Sequence, residues 1–214
     1  SITYANRIQT AVLPSRSSLT DLPFADSMLF FRPRDIVSGD FYWFNTYGSH
    51  ALICCSDCTG HGVPGAFMTL IGTTILNEAT REESNRRPKP LLEQLDKEVK
   101  QTLNKNQSVE TRDGMDCAII DVDLETGVMV SAAAKRPIYV VRKGQATTIK
   151  GTRRAIGDVW NDNEFNETVT QLQDGDCIYL SSDGFTDQLG ADPAMDGGKT
   201  RVLNDEDAIK FSTK

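Results

Sequence analysis

The pattern of apolar runs predicts an α+β fold, a mostly antiparallel pair of sheets with helices packed outside. Three observations carry this. Short strand-like runs occupy the first 60 residues, two segments of helical period follow, and strand-like runs then return as far as residue 181. No strand–helix–strand alternation occurs, which argues against a doubly wound parallel sheet. The chain has 214 residues, 39% hydrophobic and 25% charged, enough to bury one full core without staples.

Taken in order, residues 1–13 read as an amphipathic helix. Ile2, Ile8, Val12 and Leu13 fall near helical spacing and Pro14 ends the pattern. This segment is either a packing helix or the end of a longer signalling helix. A turn-rich linker follows, so residues 1–26 are set apart from a domain over 27–214. Strands are expected over 28–31, 40–44 and 51–55. Phe41, Tyr42, Trp43 and Phe44 favour the pleated conformation, and Gly48-Ser49 marks a hairpin turn. Pro64 suits the first turn of a helix whose apolar face is Phe67, Leu70, Ile71, Thr74 and Ile75, fading near Glu83. After a basic loop, a second helix carries Leu92, Leu95, Val99 and Leu103 on one face. Beyond the polar residues 104–112, strands are expected over 117–122, 128–133, 138–142 and 147–149, separated by Gly127, Pro137 and Gly144. Residues 151–167 form an irregular loop, and a last pair of strands, 168–172 and 177–181, flanks Asp174-Gly175-Asp176. Past Gly190 the chain is polar and Gly-rich, with weak structure at most.

Composition excludes several classes. The net charge of −7 argues against nucleic acid as a partner. No apolar run approaches the ~18 residues of a membrane-spanning helix, and no signal-peptide pattern opens the sequence. Five cysteines cannot all pair. Cys55 and Cys58 stand at C-x-x-C spacing but lack the second ligand pair that a structural zinc site needs. They read either as small buried side chains in a reducing compartment or as a thiol redox pair.

Three aspartates share one context. Asp40 follows Ser38-Gly39, Asp57 ends an apolar run and precedes Cys58-Thr59-Gly60-His61-Gly62, and Asp183 ends another run and precedes Gly184. Carboxylates at the ends of apolar strands are costly to bury unless paired or metal-bound. Neighbouring glycines let other oxygens approach. Convergent carboxylates of this kind suit Mg²⁺ or Mn²⁺, whereas any one of them alone reads more readily as a turn cap. Asp116, after Asp113-Gly114-Met115, and Asp187, four residues after Asp183, extend the pattern.

Five ordered segments resemble the motifs of metal-dependent serine/threonine protein phosphatases, the PPM family, and within it the bacterial SpoIIE-like branch. Asp35-Ile36-Val37-Ser38-Gly39-Asp40-Phe41-Tyr42-Trp43 resembles the first metal motif. Asp57-Cys58-Thr59-Gly60-His61-Gly62-Val63-Pro64-Gly65-Ala66 resembles the second, leading into a helix. Asp113-Gly114-Met115-Asp116-Cys117-Ala118 resembles the middle motif. Ser131-Ala132-Ala133-Ala134-Lys135-Arg136-Pro137-Ile138-Tyr139 resembles the small-residue strand and turn, and Ser181-Ser182-Asp183-Gly184-Phe185-Thr186-Asp187 the late metal motif. Tyr4-Ala5-Asn6-Arg7-Ile8-Gln9 and Leu13-Pro14 resemble the linker helix that precedes such domains.

The resemblance implies a four-layer α/β/β/α sandwich with two divalent ions, Mn²⁺ or Mg²⁺, at one edge. By carry-over Asp57 bridges both ions, the Cys58 carbonyl binds one, and Asp40 and Asp183 complete the coordination. Asp57, Asp40 and Asp183 are thereby the expected catalytic residues, and Asp116 and Asp187 are candidates for a third ion. Arg34 is the expected contact to substrate phosphate, and His61 is read as a turn residue. Two such ions lower the pKa of a bridging water and stabilise an in-line displacement, so no side-chain nucleophile is needed. The implied substrate is phosphoserine or phosphothreonine on a small STAS-type, anti-sigma-factor-antagonist-like partner in a partner-switching circuit. The implied setting is a cytoplasmic domain of a longer, membrane-anchored or soluble sensor, with the N-terminal helix as a candidate homodimer surface. The family pattern ends in an acidic pair on a final strand. Here Asp205 and Asp207 lie in a polar tail with no apolar run after them, so the end is read as truncated or divergent. That departure motivates an alternative: a catalytically degenerate phosphatase fold that binds a phosphorylated partner.

Overall fold

The computed structural model describes residues 2–22, 24–103, 113–186, 189–191 and 200–202. Helix α1 (Ile2–Val12) and a 3₁₀ turn (Arg16–Asp21) precede the hairpin β1 (Phe41–Tyr47) and β2 (His50–Cys58). Helix α2 (Gly62–Ala79), a short 3₁₀ turn (Glu83–Asn85) and α3 (Pro88–Leu103) follow. The rest is β3 (Met115–Asp123), β4 (Val128–Ala134), β5 (Ile138–Arg142), β6 (Gln145–Ile149), β7 (Glu167–Gln171), β8 (Cys177–Leu180), the single turn α4 (Asp183–Thr186) and the short antiparallel pair β9 (Leu189–Ala191) and β10 (Thr200–Val202).

A five-stranded sheet runs in the order β1-β2-β3-β4-β7 and a three-stranded sheet in the order β6-β5-β8. Every pairing in both is antiparallel. Alternation along the strands divides the core. Leu52, Cys54 and Cys58 on β2 and Cys117 and Ile119 on β3 face the helices, with Leu76, Leu91, Leu92 and Leu95 packed on them. Ala118, Ile120 and Val122 on β3 face Ile138 and Val140 of the second sheet. Burying one leucine of this kind contributes roughly 1.5–3 kcal/mol. The α+β class and the antiparallel sandwich are as the sequence predicts. Among the described residues the helices α1–α3 lie on the first sheet's side, and no long helix covers the second.

Four local expectations are corrected. Residues 28–31 belong to no described strand: Met28 and Phe30 face solvent, while Phe31 packs edge-on against Tyr42. The buried residues of α2 are Gly65, Ala66, Met68, Thr69, Gly72, Thr73, Ile75, Leu76 and Ala79: of the expected face Ile75 is buried, Leu70 and Ile71 are half-buried, and Phe67 and Thr74 are exposed. Small residues win because the helix lies hard against the sheet, and a Cβ at Gly72 would meet the Phe41 ring at 2.8 Å. On α1 the buried residue is Gln9 rather than Ile8, because the Gln9 amide exchanges two hydrogen bonds with the Ser38 backbone. Strands β7 and β8 are not partners: β7 extends the first sheet beside β4 and β8 pairs with β5 in the second. Gly175, at φ 85°, turns the chain from one sheet to the other.

The irregular loop after β6 is tied to α3 by a buried ion pair. Arg154 donates to Asp96 and to the Asn163 carbonyl, its guanidinium lies over the Phe165 ring, and the Gly157 amide donates to the second Asp96 oxygen at 2.9 Å. Removing one member of a buried pair strands the other. Asp96→Ala is therefore expected to lower the unfolding free energy by about 3–5 kcal/mol, read by urea denaturation. A loss below about 1 kcal/mol would show that the pair behaves as an exposed one.

Candidate active site

Antiparallel register assembles the acids. Phe41 stands opposite Ser56 and Asp57 stands opposite Asp116. Asp40 immediately precedes Phe41, whose ring faces the helices, so Asp40 turns to the other side. Three neighbouring strands thus bring Asp40, Asp57 and Asp116 to one end of one sheet face. Asp183 arrives from the second sheet at the end of β8. Its backbone amide donates to Asp57 Oδ2 at 3.3 Å, and the adjacent Ser182 hydroxyl donates to Asp40 Oδ2 at 2.6 Å.

The connections are tight where they approach this edge. Gly39 and Gly65 touch so closely that a Cβ on Gly65 would lie 2.8 Å from Gly39 Cα and 2.7 Å from the Gly60 carbonyl. The Thr69 hydroxyl reaches the Ser38 and Gly39 carbonyls, both at 3.1 Å, and the Ser38 hydroxyl accepts from the Asp40 amide at 3.0 Å. Thr59 fastens the loop after Asp57 to the start of β3: its amide donates to the Gly114 carbonyl at 2.9 Å and its hydroxyl accepts from the Gly114 amide at 3.2 Å.

One residue of the site had no role in the sequence reading. Arg136, in the crossing from β4 to β5, directs Nη2 at Asp57 Oδ2 (3.0 Å), Asp183 Oδ2 (3.2 Å) and Asp116 Oδ2 (3.4 Å). Lys135 beside it places Nζ 3.7 Å from Asp116 Oδ1. Its sequence signals were an adjacent basic pair before a proline and its place in the segment 131–139, to which no side-chain role was given. Asp57, Cys58, Thr59, Gly60, Asp116, Lys135, Arg136 and Asp183 enclose a cavity of about 300 Å³. A second cavity of about 280 Å³ shares Thr59, Asp116 and Lys135 with it and extends past Gly157 to the exposed Trp160.

The acids strain one another electrostatically. Burial first, then the charge of Asp40 against the partial relief from Arg136, pushes Asp57 up from 3.8 to about 7. Such a carboxylate sits in a site short of positive charge.

The family model for Stage II sporulation protein E (SpoIIE) matches residues 48–209. The chain belongs to the SpoIIE family. Among solved structures, the SiaA-PP2C domain of Pseudomonas aeruginosa is 31% identical, with 99% of this chain and 86% of that chain covered at a TM-score of 0.77. The SpoIIE phosphatase domain of Bacillus subtilis shares the fold at 22% identity, covering 71% of this chain and 43% of that chain, TM-score 0.56. RsbX in complex with magnesium shares it at 10% identity, covering 70% and 68%, TM-score 0.52. No curated protein matches the chain. The SpoIIE-family domain is thus a PP2C-type, or PPM-type, serine/threonine protein phosphatase domain, of a family that depends on metal ions.

The structure brings together Asp40, Asp57, Asp116 and Asp183, with Cys58 in the cavity wall. It does not bring Arg34 to them: Arg34 is exposed, and no ion pair among the described residues includes it. Asp187, Asp205 and Asp207 lie outside the described residues. His61 is exposed and pairs with Asp35 at 3.1 Å, consistent with a turn residue. Among the described residues no group of three or more His, Cys, Asp or Glu side chains is close enough to hold an ion, and Arg136 stands between the acids. The donor chemistry nonetheless fits hard divalent cations. It is a set of carboxylate oxygens, and Asp57 among them is held back from ionising first by burial and then by the charge of Asp40.

The thiols do not make a redox pair. Cys55 and Cys58 are three apart in a strand and so face opposite sides of the sheet. Burial pushes Cys55 up to about 12 and Cys58 upward as well. Cys177 is the exposed cysteine. A thiol-reactive chromogenic reagent should label Cys177 in the native protein and all five cysteines only after denaturation. Rapid native labelling of Cys55 or Cys58 would contradict the packing.

The raised Asp57 gives the metal-free protein a pH signature. Its folded value, about 7, exceeds its unfolded value of 3.8, so the group favours folding fully below pH 3.8 and this contribution is lost as pH rises through 7. In chelator, Asp57→Asn should melt above the wild type at pH 8, with the gap closing toward pH 5. A gap independent of pH would show that Asp57 is not strained.

Proposed function

We propose that this domain hydrolyses phosphoserine or phosphothreonine on a small STAS-type partner, with two divalent ions, Mn²⁺ or Mg²⁺, as resident cofactors. The observation that carries the reading is the row of Asp40, just before β1, Asp57 on β2 and Asp116 on β3, met by Asp183 from the opposite sheet. Asp57, Asp40, Asp183 and the Cys58 carbonyl would hold the two ions, and Asp116 with Asp187 would hold a third. When bound, the ions would lower the pKa of an attacking water and neutralise charge on the phosphoryl oxygens.

The chain's own residues orient these parts. Ser182 fixes the carboxylate of Asp40, the Asp183 amide fixes that of Asp57, and the clasp between Thr59 and Gly114 holds the Asp57 loop at the cavity mouth. The shared cavity running from Asp116 to Trp160 is where the polypeptide on either side of the phosphorylated residue would lie. Arg34, exposed in the segment that precedes Asp40, is proposed as an outer contact to the phosphoprotein. Tyr4 and Ile8, exposed on α1, are the surface through which a second copy would pair. No described helix is long and apolar enough to cross a membrane, and a cytoplasmic setting belongs to the same proposal.

One observation favours the second reading, a degenerate module that binds a phosphorylated partner without cleaving it: Arg136 occupies the centre of the acids. Hydrolysis of an aryl phosphate separates the two. The phosphatase reading expects turnover that requires Mn²⁺ and falls about 10²-fold or more in Asp57→Ala, equivalent to the several kcal/mol that ions contribute to such displacements. Stoichiometric phosphopeptide binding with no turnover in any ion would favour the binding module.

A further inference from the structure

The phosphatase reading leaves Arg136 without a part. A guanidinium carries five N–H donors on three nitrogens, yet all three carboxylate contacts of Arg136 fall on Nη2. Its Nε is buried with no hydrogen-bond partner, and none of these ion pairs uses Nη1. The bracing arginines elsewhere spread their forks. Arg142 grips Asp176 through both Nε and Nη2, and Arg154 divides Nη1 and Nη2 between Asn163 and Asp96. The Nε of Arg154 is also buried without a partner, so what sets Arg136 apart is that all its carboxylate contacts fall on one nitrogen. Arg136 is also planted firmly. Lys135 before it has φ 60°, Pro137 follows, the Lys135 amide donates to the Thr152 carbonyl at 2.8 Å, and the Arg136 amide donates to the Ala134 carbonyl at 2.7 Å.

We propose that Arg136 grips the phosphoryl group of the substrate, and that in the ion-free protein it rests on the same carboxylates that take the ions. This rests on the phosphatase reading above. Guanidinium and divalent ions compete for Asp57, Asp116 and Asp183. Once ions hold those acids, the arginine loses its partners while still lining the cavity. A planar fork matches paired phosphoryl oxygens better than a point charge does. Lys135 adds positive charge at the rim of the same cavity. Phosphate recognition would then follow ion loading, because the same residue serves as internal counter-ion first and as anion contact second.

Two calorimetric titrations test this on the purified protein: MnCl₂ into the ion-free form, then inorganic phosphate into the Mn²⁺-loaded form. They are run for the wild type, Arg136→Gln and Arg136→Lys, each checked for folding by thermal melting. The proposal expects Arg136→Gln to bind Mn²⁺ more tightly than the wild type and phosphate about tenfold more weakly. Arg136→Lys, which keeps the charge and loses the fork, should bind phosphate with intermediate affinity. Unchanged phosphate affinity in Arg136→Gln would overturn the proposal. So would weaker Mn²⁺ binding in that variant, which would make Arg136 a brace of the acid cluster. A wild type that binds no Mn²⁺ would overturn the phosphatase reading itself, and this role with it.

Discussion

Like charges set side by side on neighbouring strands repel, and here the antiparallel register imposes that arrangement. The pairings of Phe41 with Ser56 and of Asp57 with Asp116 bring Asp40, Asp57 and Asp116 to one sheet end, where directly opposed like charges destabilise a ladder. The second sheet adds Asp183 rather than relief. The cost is visible in Asp57, whose carboxyl is pushed up to about 7 chiefly by burial and by Asp40. Positive charge must enter this edge, and Arg136 supplies it in the protein alone. The surrounding structure can be understood as scaffolding that keeps the repelling groups in place.

That scaffolding reaches the edge from several directions. Helix α2 presses its small-residue face on β1, and Gly65 against Gly39 fixes the backbone just before Asp40. Gln9 of α1 holds Ser38, two residues before Asp40, so the N-terminal helix bears directly on a proposed ligand. On the opposite flank, the buried pair of Asp96 and Arg154 anchors the loop that carries Ile156 and Gly157, and Ile156 bridges to Met115 beside Asp116. Asp40 is thereby tied to α1 and α2, and Asp116 to the buried pair, each through a few intervening residues.

Much of this was legible in the sequence because it depends on local pattern. Asp40, Asp57 and Asp183 each adjoin an apolar run and a glycine, and strand ends are where a sandwich exposes side chains at its edge. The hairpin at Gly48, the face of α3 and most strands follow from periodicity alone. Arg136 escaped because its importance lies in where the crossing from β4 to β5 brings it, a matter of tertiary path rather than spacing. Part of the buried face of α2 escaped, Ile75 excepted, because close helix–sheet contact selects glycine and threonine, which carry little hydrophobic signal. The partnering of β7 and β8 escaped because a Gly175 turn of the hairpin kind instead carries the chain between sheets.

The central claim is that the acid row is an ion site in which Arg136 is a replaceable occupant. Anomalous diffraction from crystals grown with Mn²⁺ tests it directly. The account predicts two manganese peaks flanking Asp57, with the Arg136 guanidinium withdrawn from Asp57 and Asp183. Crystals with no manganese peak at these carboxylates, and with Arg136 still between them, would contradict it.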